Sequence, residues 1–310
     1  MDFNVILMTM GTLFLVVIAG YISGKTHLMS QPLSKGLSGL IVNLTCPALI
    51  LASTMGDVMP DRQLILPLLL IGTITYVILL TVASYLPRIM GVKPSEQGLF
   101  SFMLAFGNVG FIGYPVVASI FGPEAVFYAS VLNVPNTITV FIWGAQFIAG
   151  KEAGGNIWKR LYTPGLIGTY LSILIVAFQW TTPPLLAKSL TLIGNITVPG
   201  SLLIIGYSIS QIPAKHMAGG REVMMMAPLR LLVLPLLVWG VFQLLNLVPF
   251  VDFDQTSIAI NTLIIAMPVA SFGTIFCLKF GVDETVMAQG TFLTTLLALL
   301  SIPVVAWIIL

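Results

Sequence analysis

Apolar runs of about twenty residues recur along the whole chain, and they restrict its fold more than any other feature. A run of that length crosses the hydrocarbon core of a bilayer as an α-helix. A transmembrane barrel would instead alternate apolar and polar residues with a period of two. Charged residues make up 8% of the sequence, against roughly 25% in a soluble domain. The sequence therefore predicts an all-α polytopic membrane protein.

Clusters of charged residues, prolines and glycines divide the chain into ten predicted transmembrane spans. The first span follows Asp2 rather than a basic segment, so we interpret it as a retained helix and not as a signal peptide. The predicted spans are residues 3–23, 36–54, 64–86, 98–120, 125–148, 163–179, 189–210, 223–246, 257–278 and 285–309.

The basic residues are distributed unevenly between the connections. The even-numbered connections hold only Arg62 and Lys188. Because cytoplasmic loops are enriched in Lys and Arg, the odd-numbered connections are expected in the cytoplasm. Both termini are then extracytoplasmic, and the protein is expected in a cell membrane, either the inner or the plasma membrane. The basic residues of the odd-numbered connections are Lys25, Lys35, Arg88, Lys93, Lys151, Lys159, Arg160, Lys215, Arg221 and Lys279.

Two pairs of motifs recur in the same order in the two halves of the chain. Asn43–Pro47 is matched by Asn195–Pro199, and Asn108–Pro115 is matched by Asn261–Pro268 with the same spacing. Transporters are often built from such repeats, and a repeat of five spans must be inverted in its second copy. The predicted organisation is a first repeat over 1–150, a cytoplasmic linker over 151–162 and an inverted repeat over 163–310.

The fourth span contains the densest set of helix-breaking residues, in Phe106–Pro115. Glycine loosens the backbone there, and proline removes an N–H. We expect spans four and nine to break near mid-depth, to restart at Pro115 and Pro268, and to cross one another. The N-terminal N–H groups of both restarted helices would then point to one place and attract an anion. The alternative is that these residues only kink the helices.

The predicted substrate-binding residues are polar or helix-breaking positions inside the spans. Their amides and hydroxyls can bond a carboxylate, or they can satisfy backbone groups and pack helices, and the sequence leaves both roles open. Asn108 and Asn261 are expected about two helical turns before each break. The predicted substrate-binding set is Asn108, Gly110, Gly113, Tyr114, Pro115, Asn133, Asn136, Asn261, Pro268, Ser271, Thr274 and Arg230. Asn43, Pro47, Asn195 and Pro199 are predicted to be structural helix breaks.

Arg230 is the only charged residue well inside a predicted span. An ionisable residue at that depth is by default a hypothesis of function, here binding of the substrate. Because it lies about two turns from the cytoplasmic end of its span, its head could instead snorkel to the interface.

Acidic residues are expected only in termini, loops and span ends, so the sequence predicts no carboxylate at mid-membrane to carry a proton. It shows no metal-ligand cluster, cofactor motif or basic surface for nucleic acid, and an enzyme is not expected. Amide and carbonyl oxygens can coordinate Na⁺, so sodium stays open as a coupling ion.

These features resemble the auxin efflux carrier family of secondary transporters over the whole chain. The resemblance rests on the 310-residue length, the ten predicted spans, the Asn43–Pro47 pattern and the Gly-Asn-Val-Gly-Phe-Ile-Gly-Tyr-Pro motif ending at Pro115. It implies a sodium/proton-antiporter-like or bile-acid-transporter-like fold, with a scaffold of spans 1, 2, 6 and 7. It also implies a transport domain of spans 3–5 and 8–10, and a homodimer. The short linker is similar to that of bacterial members.

Bacterial members of the family look like permeases for malate and malonate, and plant members export the carboxylate auxin. We therefore expect a secondary transporter of small organic anions, either mono- or dicarboxylates, that works by alternating access in the lipid bilayer. The first alternative is a sodium-coupled organic-anion symporter, and the second is a non-transporting membrane receptor.

Overall fold

The computed structural model describes residues 3–55, 60–150, 162–211 and 219–310. Within these ranges the regular secondary structure is helical, and β-pairing occurs only as one isolated bridge between Gly107 and Val269. The all-α prediction is therefore confirmed for the described residues. Except for Tyr162, the predicted linker 151–162 lies outside them.

Twelve helices occur in the described ranges. They are α1 Phe3–Lys25, α2 Gln31–Ala52, α3 Arg62–Ile89, α4 Gln97–Ala105, α5 Val109–Phe121, α6 Ala125–Ala149, α7 Pro164–Phe178, α8 Pro184–Ser210, α9 Arg221–Leu245, α10 Gln255–Ile265, α11 Phe272–Phe280 and α12 Thr285–Ile309. Six of them, α2, α3, α6, α8, α9 and α12, are long and apolar enough to cross a membrane. The fourth and ninth predicted spans are each divided into two shorter helices, whereas ten spans in two inverted repeats remain a prediction.

Widened π turns interrupt the regular winding of four described helices, and three of these turns end two residues before a proline. The ring of a proline clashes with the carbonyl four residues earlier, and that carbonyl lies at the centre of each of the three turns. A π turn moves this carbonyl away from the ring while the helix continues. The three turns are Ile41–Thr45 before Pro47, Val109–Gly113 before Pro115 and Leu229–Val233 before Pro235.

The chain forms two compact units. The first unit comprises Met1–Leu69, Val109–Val134 and Tyr162–Ile212. Here α1 packs along the second part of α8, and glycines allow the two backbones to approach closely. A Cβ atom at Gly20 would collide with the backbone of Leu203, and one at Gly206 would collide with that of Val17.

The second unit comprises Leu70–Asn108, Pro135–Leu161 and Pro213–Leu310. In this unit α9 packs against α10 and α12, and α4 packs against the end of α6. The approach of α4 to α6 requires Gly98, because a Cβ atom there would collide with the backbone of Phe147. The division into a scaffold and a transport domain, and the orientation in the membrane, stay predictions.

Candidate functional site

Two helix breaks lie in the second unit, one in each of the predicted spans four and nine, but the helices do not restart at the predicted residues. The first is the extended segment Phe106–Asn108 between α4 and α5, and the second is Met267–Ala270 between α10 and α11. The prediction that the helices restart at Pro115 and Pro268 is therefore wrong. Pro115 lies inside α5, where the preceding π turn accommodates its ring, and Pro268 lies in the unwound segment itself.

The two unwound segments cross as a short antiparallel pair, which we call the crossing, with Gly107 opposite Val269. The backbone N–H of Asn108 donates to the carbonyl of Pro268 at 2.8 Å. The N–H of Ala270 donates to the carbonyl of Phe106 at 3.0 Å. Buried backbone groups need hydrogen-bond partners, and here each unwound segment supplies them for the other.

Side-chain bonds complete the crossing. The backbone N–H of Val269 donates to the hydroxyl of Thr294 in α12 at 3.1 Å. The side-chain amide of Asn108 donates to the hydroxyl of Ser271 at 3.2 Å, directly before α11 begins. Asn108 is half-buried and Ser271 is exposed. The expectation that Asn108 lies two turns before the break is wrong, because the break includes Asn108 itself.

Arg230 lies in the π turn of α9, and its side chain is 1% exposed. Its Nη1 donates to the carbonyl of Leu104 at 3.1 Å, and its Nη2 fills the space in which Gly107 lacks a Cβ atom. Its Nε is buried and has no hydrogen-bond partner. The guanidinium does not reach the surface, so the interpretation that it snorkels is wrong.

Helix α3 supports the crossing from two successive residues. The ring of Tyr76 stacks on that of Phe106, with centroids 6.3 Å apart and planes at 16°. The side-chain amide of Asn261 in α10 donates to the hydroxyl of Thr75 at 2.8 Å, and both residues are buried. Asn261 therefore has a partner in α3 and does not lie in the unwound segment.

The predicted site residues are divided between the two units. In the first unit, the side-chain amide of Asn133 donates to the hydroxyl of Tyr114 at 3.1 Å, and Tyr114 is 4% exposed. The other members there are Gly110, Gly113 and Pro115, all in α5. The second unit contains Asn108, Asn136, Asn261, Pro268, Ser271, Thr274 and Arg230.

The predicted helix breaks of the first unit differ in form. Asn43 lies in a π turn of α2, and its side-chain amide donates to the carbonyl of Gly39 at 2.8 Å. Pro47 follows that turn. In α8 the helical winding is interrupted at Asn195 and Ile196, and Pro199 comes in the first turn after the interruption.

Sequence reasoning missed three residues that hold the crossing, namely Thr75, Tyr76 and Thr294. Thr75 and Thr294 are two of several threonines and serines in apolar helices, where such hydroxyls commonly bond their own backbone, and Tyr76 contributes its ring. Thr294 does so as well, donating to the carbonyl of Gly290 at 2.7 Å. Only the fold reveals the second bond of Thr294.

The electrostatics of the crossing favour an anion. Arg230 places a buried positive charge beside it, and no described Asp or Glu side chain is buried. The N-terminus of α11 adds the positive end of a helix dipole next to Asn108 and Ser271. Among the described residues, no three His, Cys, Asp or Glu side chains are grouped so that they could hold a metal ion.

The chain is similar to known proteins over nearly its whole length. The family model described as "Membrane transport protein" matches residues 5–306. The chain is 25% identical over 300 residues to an uncharacterized transporter of Methanothermobacter thermautotrophicus, covering 95% of each protein. It is also 25% identical over 306 residues to an uncharacterized transporter of Methanocaldococcus jannaschii, covering 96% of each.

Proposed function

The chain belongs to the membrane transport protein family, the auxin efflux carrier family, and we propose that it is a secondary transporter of small organic anions. In this proposal it works by alternating access, with the substrate bound at the crossing. The family supports transport across a bilayer, and the site supports the choice of an anion.

One observation carries the choice of an anion, namely the buried Arg230 beside the crossing with no buried carboxylate among the described residues. In a medium of low dielectric constant, a positive charge that faces no carboxylate attracts a negative one strongly. The same charge would repel a cation and would attract a neutral solute less strongly than an anion. A carboxylate bound near the crossing would offset the cost of keeping the guanidinium buried.

The substrate carboxylate would bind at the start of α11, where Asn108 and Ser271 meet. In this arrangement the Asn108 amide and the Ser271 hydroxyl donate to the carboxylate, with the backbone N–H groups of the first turn, near Thr274. Arg230 contributes its charge through space. Pro268 has no N–H, and its carbonyl accepts the bond from Asn108 that keeps this geometry.

A thermal-shift screen of the purified protein against mono- and dicarboxylates is the first test. A ligand that binds only the folded state raises the melting temperature by mass action. We expect at least one carboxylate to do so and the matching amides or alcohols not to. If no carboxylate shifts the melting temperature, or if neutral analogues shift it equally, the anion proposal fails.

Transport by the Asn108→Ala variant in proteoliposomes is the second test. Loss of a hydrogen bond to a charged group costs about 1.5–3 kcal/mol, so KM should rise roughly tenfold or more. The matched control is Asn195→Ala, which removes an exposed amide at a helix interruption in the first unit. Unchanged uptake by the Asn108→Ala variant would contradict the assignment.

Sodium coupling is the alternative within the same fold class. Replacing Na⁺ by choline in the external buffer separates the two mechanisms, because an uncoupled carrier keeps its rate of uptake. Saturable binding of an anion without any flux into proteoliposomes would instead indicate a receptor.

A further inference from the structure

The guanidinium of Arg230 occupies the space beside Gly107 that a Cβ atom at this position would fill. A Cβ atom at Gly107 would collide with Nη2 of Arg230, so any other residue at 107 would displace the guanidinium. It would also come within 3.3 Å of the carbonyl of Met267. The crossing therefore requires glycine at this position because of a close approach.

The hydrogen bond from Arg230 satisfies the carbonyl of Leu104, which the helix break leaves without a partner in its own helix. Leu104 is in the last turn of α4, where the final carbonyls have no partner within the helix. Those carbonyls also form the negative end of the helix dipole, which a cation stabilises. In a bilayer no water replaces the missing partner, so the break depends on a donor from elsewhere in the protein.

The position of Arg230 fits support of the backbone better than contact with a ligand. Its side chain is 1% exposed, while Ser271, which directly follows the crossing, is exposed. The π turn at Leu229–Val233 changes the direction in which α9 presents this side chain. Arginine suits the task because its planar group has several donors and keeps its charge when buried.

We infer that Arg230 is a positioning residue that holds Leu104–Gly107 in the broken conformation, and that Gly107 is the small partner it requires. Arg230 then acts on transport through the geometry of the crossing and through its charge, without touching the substrate. The inference rests on the proposed function only where transport is measured, since the geometry can be tested on the protein without substrate.

Hydrogen exchange of the substrate-free protein tests the geometry directly. In Arg230→Gln the peptides that contain the N–H groups of Asn108 and Ala270 should exchange at least about tenfold faster, because a charge-assisted bond is lost. The control is Arg221→Gln, which removes an exposed arginine at the start of the same helix. A substrate ligand without a positioning role would leave this exchange unchanged, and that result would overturn the inference.

A double-mutant cycle tests the pairing with Gly107 and does not need Arg230→Gln to fold. Gly107→Ala should lower the melting temperature in the Arg230 protein. The same change should cost less beside Arg230→Lys, whose single ammonium does not reach as far as the Nη2 group of arginine. Contacting residues show such coupling, whereas independent ones are additive. Additive effects on the melting temperature would refute the pairing.

Transport kinetics separate positioning from binding. If Arg230 is a positioning residue, Arg230→Lys should affect a monocarboxylate and a dicarboxylate alike. The change in kcat should be similar for the two substrates, and so should the change in KM. A direct ligand predicts an increase in KM that grows with the charge of the substrate. Fast exchange in Arg230→Gln together with no anion flux in the unmodified protein would reject the proposed function and leave the positioning role standing.

Discussion

The side-chain amide of Asn261 in α10 donates to the hydroxyl of Thr75 in α3 at 2.8 Å, and both residues are buried. This bond gives the Asn261 amide a structural role that does not involve a substrate. It links the helix before the second break to the helix whose next residue, Tyr76, stacks on the first break. The pair therefore fixes two of the supports of the crossing relative to one another.

Replacing Asn261 with Ala should reduce stability more than affinity. Interhelical hydrogen bonds in membrane proteins contribute about 0.6 kcal/mol on average and up to roughly 1.7 kcal/mol, so the melting temperature should fall by a few degrees. Thr75→Val should have a similar effect, and the double variant should be less destabilised than the sum of the two. A large increase in KM with an unchanged melting temperature would instead place Asn261 in the substrate site.

Replacing Thr294 with Val should weaken the crossing. The hydroxyl of Thr294 is the acceptor for the backbone N–H of Val269, and a buried N–H left without a partner costs about 1–3 kcal/mol. Thr295→Val is a close control, because that hydroxyl donates to the carbonyl of Thr291 within its own helix. We expect a lower melting temperature and faster exchange at Val269 for Thr294→Val only. Equal losses in both variants would contradict the role of Thr294.

The contact between α1 and α8 should not tolerate a methyl group at Gly206. A Cβ atom there would collide with the backbone of Val17, and overpacking of this kind costs typically about 1–3 kcal/mol. Gly11→Ala in α1 is the control, because nothing lies within 4 Å of its added Cβ atom. Thermal melting in detergent should separate the two variants clearly. A stable Gly206→Ala protein would show that this packing is looser than described.

Replacing Tyr114 with Phe should remove the acceptor of the Asn133 amide while it keeps the buried ring. The expected loss of stability is about 0.5–1.5 kcal/mol, measured by thermal melting. Tyr85→Phe, at an exposed tyrosine, should have no measurable effect. If the pair also serves the substrate, carboxylate affinity falls in the same variant, and the thermal-shift screen reports both changes.

Cysteine labelling tests the orientation. Both native cysteines, Cys46 and Cys277, are buried, so they contribute little background reaction. A membrane-impermeant maleimide added to intact cells should label Lys188→Cys and should not label Lys93→Cys, both positions being exposed. The opposite pattern would place the termini in the cytoplasm and invert the positive-inside interpretation.

The sequence predicted the class of fold because membrane helices follow from hydrophobicity and length alone. It also identified the right neighbourhood for the breaks, since Gly107 and Pro268 both lie in the crossing. The predicted positions of the restarts are wrong because proline does not mark where either helix resumes. In the structure, the π turn Val109–Gly113 accommodates Pro115 within a helix, so Pro115 does not mark the end of one.

The duplicated Asn-to-Pro spacing predicts only part of the geometry of the crossing. The repeat predicts that Asn108 and Asn261 occupy equivalent positions, but Asn108 lies in an unwound segment and Asn261 lies within a helix. The crossing aligns Gly107 with Val269, which is a different register from the repeated motif. A sequence pattern cannot reveal such a register, because backbone bonds between distant segments leave no trace in residue type. The burial of Arg230 was equally invisible, since snorkelling depends on what surrounds the side chain.

The crossing is held at its centre by bonds between main-chain atoms, and this affects how such a protein can diverge. The bonds from Asn108 to Pro268 and from Ala270 to Phe106 use only N–H and C=O groups, which nearly every residue provides. Side chains at Asn108 and Ala270 can therefore change without removing these bonds. A lineage can therefore change the side chains at these positions while the backbone architecture of the crossing is inherited intact.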